Sequence, residues 1–275
     1  MYNEISLDTV CAAYAYAMGI DAPEKAAEIS APFKEYLDKA LDGKKADRIV
    51  MYNPDAVAQW VQEKYPELMA EVVDNTELHL PLRSVMPSVT PVCFGTIYTG
   101  AQPEVHGIQA YEKPVIRIDS LFDAMLRAGK KCAIVSNPGC SLNHIFRERQ
   151  MDYFEGDSPD AVNSMAVRLL LEDKYDLLVI YNGNYDYRMH RTGPEHVHAL
   201  SELRCNVRAY NMFRELVERN YQHHTTLLGF AMDHGCHEIE PMLTPKGTVK
   251  CGTHGEEIPE DLNIVHHYKV YPATK

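Results

Sequence analysis

Asp176-Leu-Leu-Val-Ile-Tyr-Asn182 is the stretch on which the fold turns. Leu177 to Tyr181 are apolar without a break, so neither face is meant for water. That pattern belongs to a strand inside a parallel sheet covered on both sides, because a half-exposed strand would alternate. Working outward, Asp47–Asn53, Val115–Ile118, Cys132–Ser136 and Thr225–Met232 read as further strands. Between them, Ser120–Ala128, Pro159–Leu171 and Leu200–Asn220 read as helices, and Asn53-Pro54-Asp55 turns the first strand into a helix through Ala58, Trp60 and Val61. Strand alternating with helix predicts an α/β three-layer sandwich around a mostly parallel central sheet, with any chemistry beyond the C-terminal strand ends. Two helical patterns, Asp8–Met18 and Pro23–Leu41, precede the first strand, the second stopped by Gly43. Residues 1–46 are therefore read as an N-terminal helical extension packed on the core, and 47–275 as the main domain.

The bulk numbers narrow the partners. A chain of 275 residues with 45% hydrophobic and 24% charged residues can bury a sizeable core. Its net charge of −12 argues against a nucleic-acid polymer, whose binding rests on clustered Lys and Arg. No apolar run is long enough to span a membrane. Glu4 and Asp8 lie where a secretory signal would be basic and then apolar, so a cytoplasmic protein is expected. Seven cysteines without paired spacing read as free thiols. Of the 13 histidines, ten lie at or beyond His190, among acidic residues.

Four segments carry chemistry-bearing side chains. Thr90-Pro91 reads as a helix start, with Thr90 as N-cap and Pro91 at the first helical position. A hydroxyl there sits at the positive end of the helix dipole, where an alkoxide and a phosphate are stabilised, although capping alone would also explain it. Asp186 and His190, just after the buried strand, are four apart, so one helical turn would aim both at a shared ion or make a simple ion pair. Asp233-His234-Gly235 ends another buried strand, and Gly252-Thr-His254-Gly255 puts a histidine between glycines; each is also compatible with a polar turn. A competing metal reading joins Cys236, His237, Cys251 and His254 in a structural zinc site, against which the adjacent Cys236-His237 pair is poor geometry.

In order, Thr90, Thr99-Gly100, Pro103-x2-His106-Gly107, Asp186-x3-His190-x2-Gly193-Pro194, Asp233-His234-Gly235 and Gly252-x-His254-Gly255 resemble the alkaline phosphatase superfamily, most of all its type I phosphodiesterase/nucleotide pyrophosphatase branch, over about residues 48 to 256. The resemblance implies two divalent metal ions, zinc with manganese as the alternative. Thr90, Asp233, His234 and a first-strand Asp would serve one metal, and Asp186, His190 and His254 the other. It implies hydrolysis of a small phosphodiester or nucleotide-type phosphate ester through a phosphothreonine at Thr90. The alternatives are a phosphomonoesterase or phosphonate hydrolase on the same scaffold, or a catalytically silent metal-binding module. A homo-oligomer is left open. The family's first strand ends in Asp-Gly, whereas this chain has Asn53-Pro54-Asp55-Ala56. Both Asn53 and Asp55 are candidates; Asp55 is preferred because a carboxylate neutralises a divalent ion, though it is also well placed to cap the next helix. Tyr111 stands where nucleotide pyrophosphatases have a phosphate-contacting Asn, the chain has no room for a mutase-type cap domain, and no Cys-x-Pro-x-Arg of a sulfatase is present.

Overall fold

The Leu177–Asn182 strand runs through the middle of a seven-stranded sheet in the computed structural model, which describes residues 1–274. In chain order the elements are α1 (Thr9–Met18), α2 (Ala31–Leu41), β1 (Arg48–Pro54), α3 (Gln59–Lys64), α4 (Pro66–Val73), β2 (Leu78–Arg83), α5 (Thr90–Thr99), α6 (Pro103–His106) and α7 (Leu121–Arg127). There follow β3 (Cys132–Ser136), α8 (Ser141–Ile145), β4 (Asp152–Glu155), α9 (Pro159–Glu172), β5 (Leu177–Asn182), α10 (Asn184–Thr192) and α11 (Val197–Asn220). The last are β6 (Thr226–Phe230), β7 (His237–Leu243), β8 (Val249–Thr253), α12 (Pro259–Leu262) and β9 (Asn263–Tyr271). The sheet order is β2-β9-β6-β1-β5-β3-β4. The five strands from β6 to β4 are parallel, and β9 pairs antiparallel with both β6 and β2. One helical layer joins α1, α2, α5, α7 and α8, and the other joins α4, α9, α10 and α11.

β3, β5 and β6 are buried at every position, which is why their apolar runs were readable. α1 is buried on almost all sides between the sheet and its neighbours, as a helix apolar all round must be; its Tyr14 hydroxyl meets that of Tyr268 on β9 at 2.7 Å. No helix among the described residues is long and apolar enough to cross a membrane.

Four local expectations are corrected. Residues 23–30 are not helical: the chain runs extended past Gly100, with the Ala27 N–H donating to the Gly100 carbonyl, and α2 begins only after Ser30, with Pro32 in its first turn. A Cβ on Gly100 would meet Ala26 at 2.6 Å, so the close packing that needs glycine also holds this segment straight. Val115–Ile118 forms no strand; its Ile116 side chain is buried, which explains the apolar signal without a ladder. The helix after β1 starts at Gln59, four residues beyond Asp55, so Asp55 caps nothing. Thr90 is the first helical residue of α5, with Val89 at the N-cap position, and its side chain makes no capping bond.

Candidate two-metal active site

β1 lies between β5 and β6, and the chain leaves the C-terminal ends of all three strands at one place. Asp55 follows β1, Asp186 sits in the first turn of α10 after β5, and Asp233 and His234 follow β6. Thr90 opens α5 above them, and His254 arrives from the end of β8. The side chains fall into two groups, Asp55, Asp233 and His234 in one, and Asp186, His190 and His254 in the other. The two groups adjoin, with the His234 and His254 rings stacked at 4.1 Å.

Within each group the polar atoms converge on one point. His234 Nε2 is 3.4 Å from Asp55 Oδ1 and 3.3 Å from Asp233 Oδ2. His190 Nε2 and His254 Nε2 each lie 3.3 Å from Asp186 Oδ1 and 3.1 Å from each other. Asp55 Oδ1, Asp186 Oδ1, Asp233 Oδ2 and His234 Nε2 are buried and have no hydrogen-bond partner among the described residues. Such orphans normally cost about 1–3 kcal/mol each, so four together call for a missing partner. Corners about 3.3 Å apart in a tetrahedron leave its centre about 2.0 Å from each, which is a zinc–nitrogen or zinc–oxygen bond length.

The surroundings fix these atoms. All three histidines donate from Nδ1 to a backbone carbonyl: His190 to Gly252 at 2.9 Å, His254 to Ser88 at 2.8 Å and His234 to Gly235 at 2.9 Å. A carbonyl can only accept, so each Nε2 carries its lone pair toward the cluster, as metal-ligating imidazoles do. Asp233 Oδ1 is held at 3.2 Å by the N–H of Ala56. Ala56 itself is left-handed, with φ of 63°, the conformation for which glycine is the usual residue. Asp55 Oδ2 accepts from the Tyr181 hydroxyl and, at 3.3 Å, from Thr90 Oγ1, leaving Oδ1 free. Asn53, by contrast, spends its amide inside the sheet, donating to the Ala231 carbonyl and accepting from Tyr98 at 2.7 Å.

The electrostatics are those of a site waiting for positive charge. Burial pushes the Asp233 carboxyl up to about 8. Burial, then the charges of Asp233 and Asp186, drive the Asp55 carboxyl well above its usual range. Burial would raise Asp186 too, but the imidazoles of His190 and His254 outweigh it and hold its carboxyl low. Burial, then the facing His234, lowers the His254 imidazole.

The structure thus brings together Asp55, Thr90, Asp186, His190, Asp233, His234 and His254, the seven residues that the resemblance and the preference for Asp55 gave to the two metals. Tyr181 escaped notice because it reads as one more apolar strand residue. The signal available was Gly183, where a Cβ would come within 2.7 Å of the Tyr181 hydroxyl. The Cys2His2 alternative is not assembled: His237 bonds Asp261 at 2.7 Å, Cys236 is buried beside Tyr185, and His254 belongs to the Asp186 group. His106 is buried beneath α5, its ring against Gly95 and its Nε2 3.2 Å from Thr96 Oγ1, away from the cluster. A cavity of about 800 Å³ opens over Asp55, Thr90 and Asp186, with Tyr111 and Tyr181 in its wall.

A family model described as type I phosphodiesterase/nucleotide pyrophosphatase matches residues 49–251. Among solved structures, the chain is similar to murine ectonucleotide pyrophosphatase/phosphodiesterase 5, an inactive form in complex with AMP, with a TM-score of 0.64 and 11% identity over 81% of this chain and 87% of that one. The human counterpart gives 0.63 and 12%, over 80% and 87%. Phosphonoacetate hydrolase from Sinorhizobium meliloti 1021, in complex with phosphonoformate, gives 0.51 and 19%, over 74% and 59%. At these identities the likeness is one of fold. No curated protein sequence matches the chain.

Proposed function

The chain belongs to the type I phosphodiesterase/nucleotide pyrophosphatase family, metal-dependent hydrolases of phosphoryl compounds, and on that premise we propose that it cleaves a small phosphodiester or nucleotide-type phosphate ester through a phosphothreonine at Thr90. The observation that carries this reading is the pair of buried carboxylate–imidazole groups with orphaned atoms beside the Thr90 hydroxyl.

Asp55, Asp233 and His234, with Thr90, would hold one divalent ion, and Asp186, His190 and His254 the other. The donor set of oxygens and imidazole nitrogens without thiolate suits zinc, with manganese as the alternative. When bound, the two cations supply the positive charge that lowers the pKa of a coordinated hydroxyl or water and neutralises the charge building on phosphorus. The residues do the rest. Thr90 Oγ1 attacks phosphorus, forming the Oγ1–P bond as the ester P–O bond breaks, and the alkoxide that leaves takes a proton from water in the open cavity. Its proton starts on the path to Asp55 Oδ2, which it already faces at 3.3 Å. The N-terminus of α5 places the positive end of the helix dipole at the developing negative charge. Water then attacks the phosphothreonine from the side of Asp186, His190 and His254, and Thr90 is regenerated.

Replacing Thr90 tests this directly. Thr90→Ala should cut turnover by several orders of magnitude with the fold intact, and Thr90→Ser should retain part of it. Mass spectrometry of acid-quenched wild type should find one phosphoryl group on the peptide carrying Thr90, bare from a monoester and still bearing its second ester group from a diester. Assayed on aryl monoesters, aryl diesters and a phosphonate, the enzyme separates the diesterase reading from a monoesterase or phosphonate hydrolase. Near wild-type rates in Thr90→Ala would sink the nucleophile.

A further inference from the structure

Tyr181 closes the apolar run of β5, and its buried ring meets Phe94 of α5 edge-on, with 5.6 Å between centres. Its hydroxyl donates to Asp55 Oδ2 and has no other partner among the described residues. A phenol taken out of water needs an acceptor, and Asp55 is the one it is given. The chain makes room for this bond. A Cβ on Gly183 would stand 2.7 Å from the hydroxyl oxygen and 3.3 Å from the ring carbon that bears it. Gly183 has a negative φ of −99°, open to residues other than glycine, so the backbone there does not call for one. The Tyr181 ring does.

The bond divides the Asp55 carboxylate. Oδ2 accepts from Tyr181 and, at 3.3 Å, from Thr90 Oγ1, whereas Oδ1 is the buried oxygen without a partner that faces Asp233 and His234. The two bonds to Oδ2 have different fates. By the time Thr90 attacks phosphorus its hydroxyl has lost its proton, and its bond to Oδ2 goes with it. Without Tyr181, Oδ2 would then be a buried anionic oxygen with no donor to meet. A carboxylate can give a divalent ion one oxygen or two, and the second would take up a place that the reaction needs. The Tyr181 hydroxyl has a proton to give Oδ2 at every stage, because it takes no part in the transfer.

We propose that Tyr181 is a positioning residue whose hydroxyl reserves Asp55 Oδ2, so that Asp55 serves its ion through Oδ1 alone and a place stays open for Thr90. This rests on the reading of Asp55 and Thr90 as ligands of one ion in the proposed phosphoryl transfer. Tyr181 then governs the rate of attack rather than how tightly metal or substrate is held.

The test is Tyr181→Phe, which removes one oxygen and keeps the ring against Phe94. Cobalt(II) added to the chelated chain is the probe, because its visible bands weaken as ligands are added to a four-coordinate ion. At saturating cobalt the variant's bands should lose intensity, while its cobalt and zinc affinities, read by chelator competition, stay equal or tighten. Its kcat should fall about ten- to a hundredfold with KM within about twofold, the usual effect of losing a group that orients a ligand. Gly183→Ala, which keeps the phenol but pushes it off Asp55, should shift spectrum and rate the same way, and it carries the test should Tyr181→Phe not fold. An unchanged cobalt spectrum, or cobalt released tenfold more readily, overturns the role of Tyr181 and leaves the two-metal site standing. A wild type that binds no cobalt overturns the site, and this role with it.

Discussion

Removing the metals should make this protein less stable as pH rises from 6.5 to 8, the reverse of what buried histidines ordinarily cause. The perturbation is chelation, which leaves Asp55 and Asp233 buried together with nothing to neutralise them. Burial raises the Asp233 carboxyl from an ordinary value of 3.8 to about 8, so between those values the folded chain holds a proton that the unfolded chain has released. Stability therefore falls with rising pH until Asp233 ionises. Burial of Asp55, and His190, whose Asp186 partner outweighs burial to raise it, act in the same direction. Below 6.5 the trend is opposed: burial lowers His106 and His266 to about 4 and His267 to about 3, so the unfolded state takes up more protons and acid destabilises. The clean window is 6.5 to 8. Across it Asp233 contributes about 2 kcal/mol, at about 1.4 kcal/mol per pH unit for one proton. For a chain of this size that is a fall of about 3–4 °C in Tm. With metal bound the carboxylates stay ionised and the slope should vanish or turn upward. Scanning calorimetry on chelated and metal-replete protein at pH 6.5, 7.2 and 8 measures it. A chelated protein whose Tm is level or rises over this window would refute the burial of uncompensated carboxylates.

Other outcomes follow from single contacts. Asp55→Asn should remove one of two metals per chain and nearly all turnover, whereas Asn53→Ala should keep both metals and cost stability through the lost Tyr98 and Ala231 bonds; elemental analysis of each variant decides it. Gly252→Ala should force β8 off Met189 and drag the carbonyl that orients His190, weakening metal retention by tenfold or more in a chelator competition. Ser120→Ala, which breaks the capping box of α7 with Asp123, should cost about 1 kcal/mol in denaturant unfolding and leave kcat unchanged.

What could be read in advance was whatever the chain encodes over a few residues. β3, β5 and β6 are buried on both faces, so burial and hydropathy coincide, and the single turn that joins Asp186 to His190 is a local fact. β2 and β9 were missed because their polar residues are satisfied by distant partners. In β9, His266 bonds the Met232 carbonyl at 2.6 Å and His267 bonds Gln62 at 2.8 Å, so two adjacent histidines sit inside a strand that looks too polar to be one. β2 carries Pro81, which a central ladder would not tolerate but the sheet's edge does. The β7–β8 hairpin, which walls the cavity, is exposed along most of its length and leaves no apolar pattern to follow.

The same division explains why Asn53 and Asp55 could not be told apart by pattern. Strand residues two apart face the same side, and both side chains meet α5, Asn53 through the Tyr98 hydroxyl and Asp55 through Thr90. Parity is blind to the difference; depth decides it. Asn53 is paired with Tyr181 in the ladder and lies one layer below the strand end, where an amide that both donates and accepts satisfies its neighbours without charge. Asp55 lies just past Pro54, the last residue of β1, where Ala56 turns left-handed and gives its N–H to Asp233. An amide at 53 and a carboxylate at 55 are thus each matched to their level. Exchanging them would bury an unpaired charge in the sheet and leave a neutral group where the cluster gathers its charge.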